Sequence, residues 1–316
     1  MGRLSISLLG PFRAALGGAP VTEFESDKVR ALLAYLAVES GRPHRRQSLA
    51  GLLWPEWPEA AARANLRNAL AKLRQSIRDH EADPPYLLAA GETIQFNLQS
   101  DHWLDVRAFA ETIQDPQSDV QALEKALALY RGDFLEGFAL EESASFEEWQ
   151  SLTREHLREQ LLRGLARLVA LYEGAGEAGL AAERARRWAE LSPLDEEAHR
   201  AVMRLLARGG QRAAALAQYE TCKRTLQAEL GVEPAPETTA LWEAIRGGEV
   251  ASARARQARP PNLPGALFPL VGRGQELAGI AERLRDPACR LLTVVGPGGA
   301  GKTRLAVEAG LRAAGE

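Results

Sequence analysis

The sequence predicts a mainly α-helical protein in three parts: a small α+β unit, then a helical-repeat unit, then the opening of an α/β nucleotide-binding module. Three observations predict it. Residues 1–100 run as short strands, three amphipathic helical stretches and a closing hairpin, the element order of a winged helix-turn-helix. Residues 101–247 keep helical periodicity almost throughout, and two similar passages recur at an offset of about 34–39 residues, close to the tetratricopeptide period. Near the end, an apolar run enters a glycine-rich loop that opens helical sequence, the setting a phosphate-binding loop requires.

Leu4–Leu9 alternates in part and stops at Gly10-Pro11, a strand pattern. Further short strands are expected over Phe12–Leu16 and Val21–Phe24, with Gly17-Gly18 turning between them. Lys28–Glu39 gathers Val29, Leu32, Leu33 and Leu36 on one helical face, and Arg46–Leu53 gathers Leu49, Leu52 and Leu53. Ala60–Arg78 steps through Leu66, Leu70, Leu73 and Ile77 in the same way. Tyr86–Leu88 and Thr93–Phe96 flank Ala90-Gly91-Glu92 as a hairpin.

In the second unit helices are expected at about 119–131, 146–173, 177–191, 195–208, 211–230 and 237–246. Gly174–Gly179, Ser192-Pro193, Gly209-Gly210 and Gly231–Pro236 punctuate them. Ala181–Leu206 and Ala213–Ile245 are the two similar passages, so stacked helix pairs are expected. Residues 248–266 lose the periodicity, and Arg254, Arg256, Arg259, Pro260, Pro261 and Pro264 mark a linker. Residues 267–316 bring a helix near Gln275–Arg285, an apolar strand Leu291–Val295 and a last helix.

Composition excludes several classes. The chain is 46% hydrophobic and 26% charged, ordinary for a globular protein. No run approaches the ~18 apolar residues of a membrane span, and Met1–Ile6 lacks the zones of a signal peptide. A cytoplasmic protein is expected. Cys222 and Cys289 lie far apart, and no spacing suits a disulfide framework or structural metal. His44, His80, His102, His156 and His199 fall in different elements without a nucleophile in pattern, so no enzyme is expected. The net charge of −3 divides unevenly: residues 1–100 carry +2, 101–247 carry −9 and 248–316 carry +4. Within the first block, residues 28–78 alone carry +7, a candidate anion-binding surface.

The third helical stretch concentrates that charge. At about 100° per residue, Arg63, Arg67, Arg74 and Arg78 share an arc beside the leucine stripe, and Asn65, Asn68 and Lys72 take the remaining exposed side. Arginine suits guanine and phosphate, and asparagine suits adenine. Arg45 and Arg46, ahead of the shorter helix, suit phosphate. Arg63, Arg67 and Arg74 are expected to contribute most. The plainer reading is a solvated charged face. Trp54 and Trp57 are expected to anchor the turn before this helix, and Phe134, Phe138, Phe146 and Trp149 to serve as core or docking residues. The acidic stretch Asp133–Glu148 reads as a solvated face or a contact for a positive partner.

Gly296-x-Gly298-Gly299-x-Gly301-Lys302-Thr303 is a P-loop: backbone N–H groups cradle phosphates, Lys302 reaches the β/γ-phosphates of ATP or ADP, and Thr303 ligates magnesium. Thirteen residues follow Thr303, too few for the acidic strand of a magnesium shell. The chain therefore reads as the front of a longer protein or a natural truncation, with weak nucleotide binding and hydrolysis only in a longer chain.

These segments, in this order, resemble the SARP family of bacterial antibiotic-pathway activators, in particular its large multidomain members. Residues 1–97 resemble an OmpR-type winged helix through Leu8-Leu9-Gly10-Pro11-Phe12, Lys28-x-Arg30-Ala31-Leu32-Leu33-Ala34-Tyr35-Leu36, Leu52-Leu53-Trp54 and Ala64–Leu70. Residues 101–246 resemble the bacterial transcriptional activator domain through Asp105-Val106-x-x-Phe109, Tyr130-x-Gly132-Asp133-Phe134-Leu135 and Glu229–Pro234. Residues 270–309 resemble the start of a STAND-type NTPase through Leu270-Val271-Gly272-Arg273 and the P-loop. The resemblance implies a transcription activator that binds promoter direct repeats in double-stranded DNA, as a dimer on DNA, recruits RNA polymerase and is regulated through its nucleotide module. It implies that Ala62–Arg78 enters the major groove and that hairpin 86–96 is the wing, which here lacks Lys and Arg. Two other classes stand beside it: a P-loop ATPase, and a helical-repeat scaffold for protein partners.

Overall fold

In the computed structural model, which describes residues 2–250, 272–285, 289 and 291–315, the N-terminal alternation becomes β1 (Leu4–Ser7), with Leu4 and Ile6 fully buried. It pairs antiparallel with β2 (Arg13–Leu16), which pairs with β3 (Ala19–Pro20). The strand expected over Val21–Phe24 does not form. Val21 still donates to Ala14 O at 2.9 Å, but the chain then turns inward and Phe24 packs edge-on against Phe12, ring centroids 5.4 Å apart.

The three helical stretches fold as α1 (Asp27–Val38), α2 (Arg46–Leu53) and α3 (Glu59–Ser76). Their apolar stripes meet: Leu32, Leu33 and Leu36 of α1, Leu49 and Leu53 of α2, and Leu66, Leu70 and Leu73 of α3 are all buried. Each such side chain contributes about 1.5–3 kcal/mol by leaving water. The expected hairpin forms as β5 (Leu87–Ala90) and β6 (Thr93–Phe96), and β6 also pairs with a two-residue β4 (His44–Arg45). A three-residue β7 (His102–Leu104) runs parallel to β1 and completes the order β3-β2-β1-β7. Sequence periodicity missed β4 and β7, because two or three residues carry no period; only a partner strand defines them. Arg78 departs from expectation too. α3 ends at Ser76, and Arg78 follows in the left-handed region at φ 51°.

The second unit stacks α4 (Asp105–Gln114), α5 (Val120–Leu129), α6 (Ala144–Gly174), α7 (Ala178–Leu191), α8 (Glu196–Arg208), α9 (Arg212–Leu230) and α10 (Pro236–Gly247). Each helix from α6 onward packs on the next, as stacked repeats require. Gly231, at φ 69°, closes α9 in the left-handed conformation that glycine tolerates. α4 was not anticipated as a helix.

The two units share one core. α6 is 31 residues long, about 46 Å at 1.5 Å per residue, and its first turns lie on the winged helix. Trp149 packs on Tyr35 at 4.9 Å and donates to Glu39 Oε1 at 3.0 Å. Phe134 and Phe146 are fully buried. The Phe134 backbone bridges Leu9 and Gly10. There Gly10, at φ 116°, lies so close to Gly132 that a Cβ on Gly132 would stand 3.3 Å from Gly10 Cα. The Tyr130–Leu135 motif is thus a docking element. Ser143 caps α6 and also donates to Leu52 O, across the two units. A Ser143→Ala variant is expected to lose about 1–2 kcal/mol of stability, read as a lower urea midpoint with unchanged slope.

Toward the C-terminus, α11 (Gly274–Arg285) and α12 (Lys302–Gly315) pack through Leu277, Leu305 and Ala309. The strand expected over Leu291–Val295 does not form; Leu291 is 86% and Val295 84% exposed. A strand needs a ladder, and no strand among the described residues pairs with it. The linker signals at Arg254–Pro264 and the motif residues Leu270 and Val271 lie outside the described residues.

Candidate nucleic-acid interface

α3 is held on one side by the core and leaves a long face open. Pro58 precedes it with a backbone suited to helix entry, and Glu59 lies in its first turn, where a carboxylate complements the positive end. On the side opposite the leucines, Ala64, Asn68, Ala71 and Gln75 fall within an arc of about 60°. Asn68, Ala71 and Gln75 are exposed, and Ala64 is half-buried. Arg67 borders this strip and is exposed. Among the described residues neither Arg67, Asn68 nor Gln75 carries a side-chain hydrogen bond or ion pair. The alanines keep the strip low, so the three longer polar side chains stand out from it. Gln75 went unrecognised in the sequence; a wheel centred opposite the leucines, rather than on the arginines, picks it out.

The other candidate cations are engaged. Arg63 pairs with Glu92 of the β5–β6 turn at 2.5 Å, and Lys72 pairs with Glu25, just ahead of α1, at 2.7 Å. Arg74 lies 3.2 Å from Asp79, which is 6% exposed and accepts from Leu87 N–H, and Arg74 also donates to Leu87 O at 3.3 Å. Arg74 thus ties α3 to the hairpin. An Arg74→Ala variant is expected to cost about 1–2 kcal/mol, because Asp79 stays buried without its cation; thermal unfolding of the variant checks it. Asn65 is half-buried. Arg78, past the helix end, lies 3.9 Å from Glu81. Arg46 donates to Gly91 O at 3.0 Å and so fixes the hairpin tip to α2, whereas Arg45 is exposed without a partner among the described residues. Thr93 donates to Ala90 O within the hairpin. Trp54 is buried beneath Lys28, but Trp57 is 53% exposed, so only Trp54 anchors the turn as expected. Of the acidic stretch, Glu142 meets Lys28 at 3.4 Å and Glu147 accepts from Leu140 N–H.

In the P-loop sequence, Gly299 and Gly301 sit at φ 80° and 75°, and α12 begins at Lys302. Lys302 Nζ donates to Gly296 O and Pro297 O, both at 2.8 Å. Thr303 is exposed. The left-handed glycines and the helix start fit a phosphate cradle. Among the described residues no three His, Cys, Asp or Glu side chains converge on a metal site, and no helix is long and apolar enough to cross a membrane.

The chain is similar to bacterial regulators. Residues 104–246 match the model of the bacterial transcriptional activator domain. The chain is 28% identical to the regulatory protein AfsR of Streptomyces griseus, over 96% of this chain and 32% of that protein. It is 29% identical to the transcriptional regulatory protein EmbR of Mycobacterium tuberculosis, over 77% of this chain and 63% of that protein. It therefore spans about a third of the AfsR length and under two thirds of the EmbR length. A solved structure of Mycobacterium tuberculosis EmbR in complex with a low affinity phosphopeptide has the same fold, with a TM-score of 0.64 at 23% identity, covering 81% of this chain and 70% of that one.

Proposed function

We propose, from the match of residues 104–246 to the bacterial transcriptional activator domain and the likeness to AfsR and EmbR, that the chain is a SARP-family regulator and a sequence-specific DNA-binding transcription activator. One observation carries the reading: the open strip of α3, in which Arg67, Asn68 and Gln75 stand unpaired between small alanines. Arg67 would take guanine or phosphate, and Asn68 and Gln75 would take adenine through their amide forks. Arg45 would add a phosphate contact from the start of α2. The hairpin 86–96 has no cation to offer, so the wing adds little to affinity. α4–α10 form the activator domain, locked to the winged helix, and RNA polymerase is its proposed partner. Two copies are proposed to sit head to tail on direct repeats.

The P-loop is proposed as a regulatory nucleotide site, with Gly296, Gly298, Gly299, Gly301 and Lys302 around the phosphates and Thr303 toward magnesium. Bound ATP or ADP would add negative charge at the start of α12. Lys302 would then exchange its bonds to Gly296 O and Pro297 O for phosphate.

The test is selection from a pool of genomic fragments by the chain across a salt series, beside an Arg67→Ala/Asn68→Ala variant. Enrichment of repeated sites by the parent chain alone supports the reading. A flat salt response with no enrichment overturns it.

A further inference from the structure

We propose that Glu25 and Glu92 act as internal stand-ins for DNA phosphate: each occupies one cation of α3, and together they limit how strongly the protein binds DNA of any sequence. This rests on the DNA-binding reading above and extends it, from which helix meets DNA to what restrains its grip.

α3 carries four cations, Arg63, Arg67, Lys72 and Arg74. Three are ion-paired, each to a carboxylate from a different element. The Arg74–Asp79 pair belongs to the fold, since Asp79 is buried and holds Leu87 N–H. The other two acids differ. The side chains of Glu25 and Glu92 are 60% and 70% exposed, and neither carboxylate has another partner among the described residues. Neither is needed for packing. Glu92 reaches Arg63 in the N-terminal half of the helix, and Glu25 reaches Lys72 in the C-terminal half. The turn between them, with Arg67 and Asn68, is left open. The pattern masks the cations at both ends and exposes the base-reading centre.

Sequence-independent affinity comes from neutralised phosphates and released counterions, about 0.9 in the log–log salt slope per phosphate on duplex DNA. A cation already paired neutralises less phosphate charge, so fewer counterions leave the DNA, and its carboxylate must be displaced. An exposed pair is weak enough for phosphate to compete with it. The two acids therefore tax non-specific binding without forbidding it.

The experiment titrates the full chain against a duplex of random sequence across a salt series. Glu25→Gln and Glu92→Gln are each expected to raise affinity about two- to fivefold and to steepen the salt slope by about 0.9. In Glu25→Gln/Lys72→Gln the gain should vanish, because the freed cation is gone. If that double variant keeps the full gain, the effect is general charge removal and the proposal is overturned. Variants that match a DNA-binding parent in both affinity and slope overturn it as well, leaving the DNA-binding reading intact. A parent chain with no salt-dependent binding to any duplex removes both.

Discussion

An Arg67→Ala/Asn68→Ala variant is expected to lose specific DNA binding by roughly a hundredfold or more while keeping its unfolding midpoint. Both side chains are exposed and unpaired, so their removal leaves no buried partner behind. Each base contact of this type is worth about 1–3 kcal/mol of discrimination, and two such contacts supply the expected loss. Asn68 lies near the middle of the open strip, four residues after Ala64 and three before Ala71, where the helix can approach the groove floor most closely. Lys72→Ala should behave differently. Its ammonium is already held by Glu25, so its loss is expected to weaken all duplexes by a small, uniform factor. Equal effects of the Arg67/Asn68 and Lys72 variants in a competition assay on matched and mismatched duplexes would contradict the assignment of the reading strip.

Asp105→Ala is expected to cost about 3–5 kcal/mol and to loosen the winged helix from the activator domain. Asp105 is fully buried at the start of α4. Its carboxylate accepts from Leu8 N–H at 2.8 Å, Leu9 N–H at 3.0 Å and Val106 N–H at 2.8 Å, and Arg131 lies 3.3 Å away. Truncation orphans those donors inside the shared core, at the place where the chain after β1 meets the Tyr130–Leu135 motif. Burial raises the carboxyl pKa above the ordinary value, against the pull of the three N–H groups and of Arg131. The sign follows from linkage. The folded state keeps this proton to higher pH than the unfolded chain does. The group therefore stabilises most below the ordinary carboxylate range, and that contribution is lost as pH rises through the folded value. Asp105→Asn cannot ionise, so it should flatten this part of the stability curve. Urea titrations of both proteins from about pH 4 to 7 would show it; parallel curves would contradict the direction.

Long amphipathic elements were legible without a structure. α2 follows Arg46–Leu53 as its leucine spacing predicts, and α7 to α10 start and stop within three residues of their glycine and proline signals. Periodicity succeeds there because each helix buries one face along its length, and every turn repeats the same demand. It fails where a partner makes the element. β7 exists because it lies beside β1, and Leu291–Val295, apolar as it is, has no partner strand among the described residues and forms no strand. In the candidate site, the sequence singled out α3 and its cations but ranked Arg63 and Arg74 with Arg67. The structure separates them by their partners.

By itself, then, the sequence determined the order of elements, the leucine stripes that build the core, the basic third helix and the P-loop spacing. All are local patterns set by the backbone period and the chemistry of neighbouring residues. Only the tertiary structure decided which cations are free, and that the two N-terminal units are one body joined through Asp105, Ser143 and Trp149. The reason is physical. A charge is spent or available according to what folds against it, and Glu25, Asp79 and Glu92 reach α3 from three different elements. No period along the chain encodes that meeting.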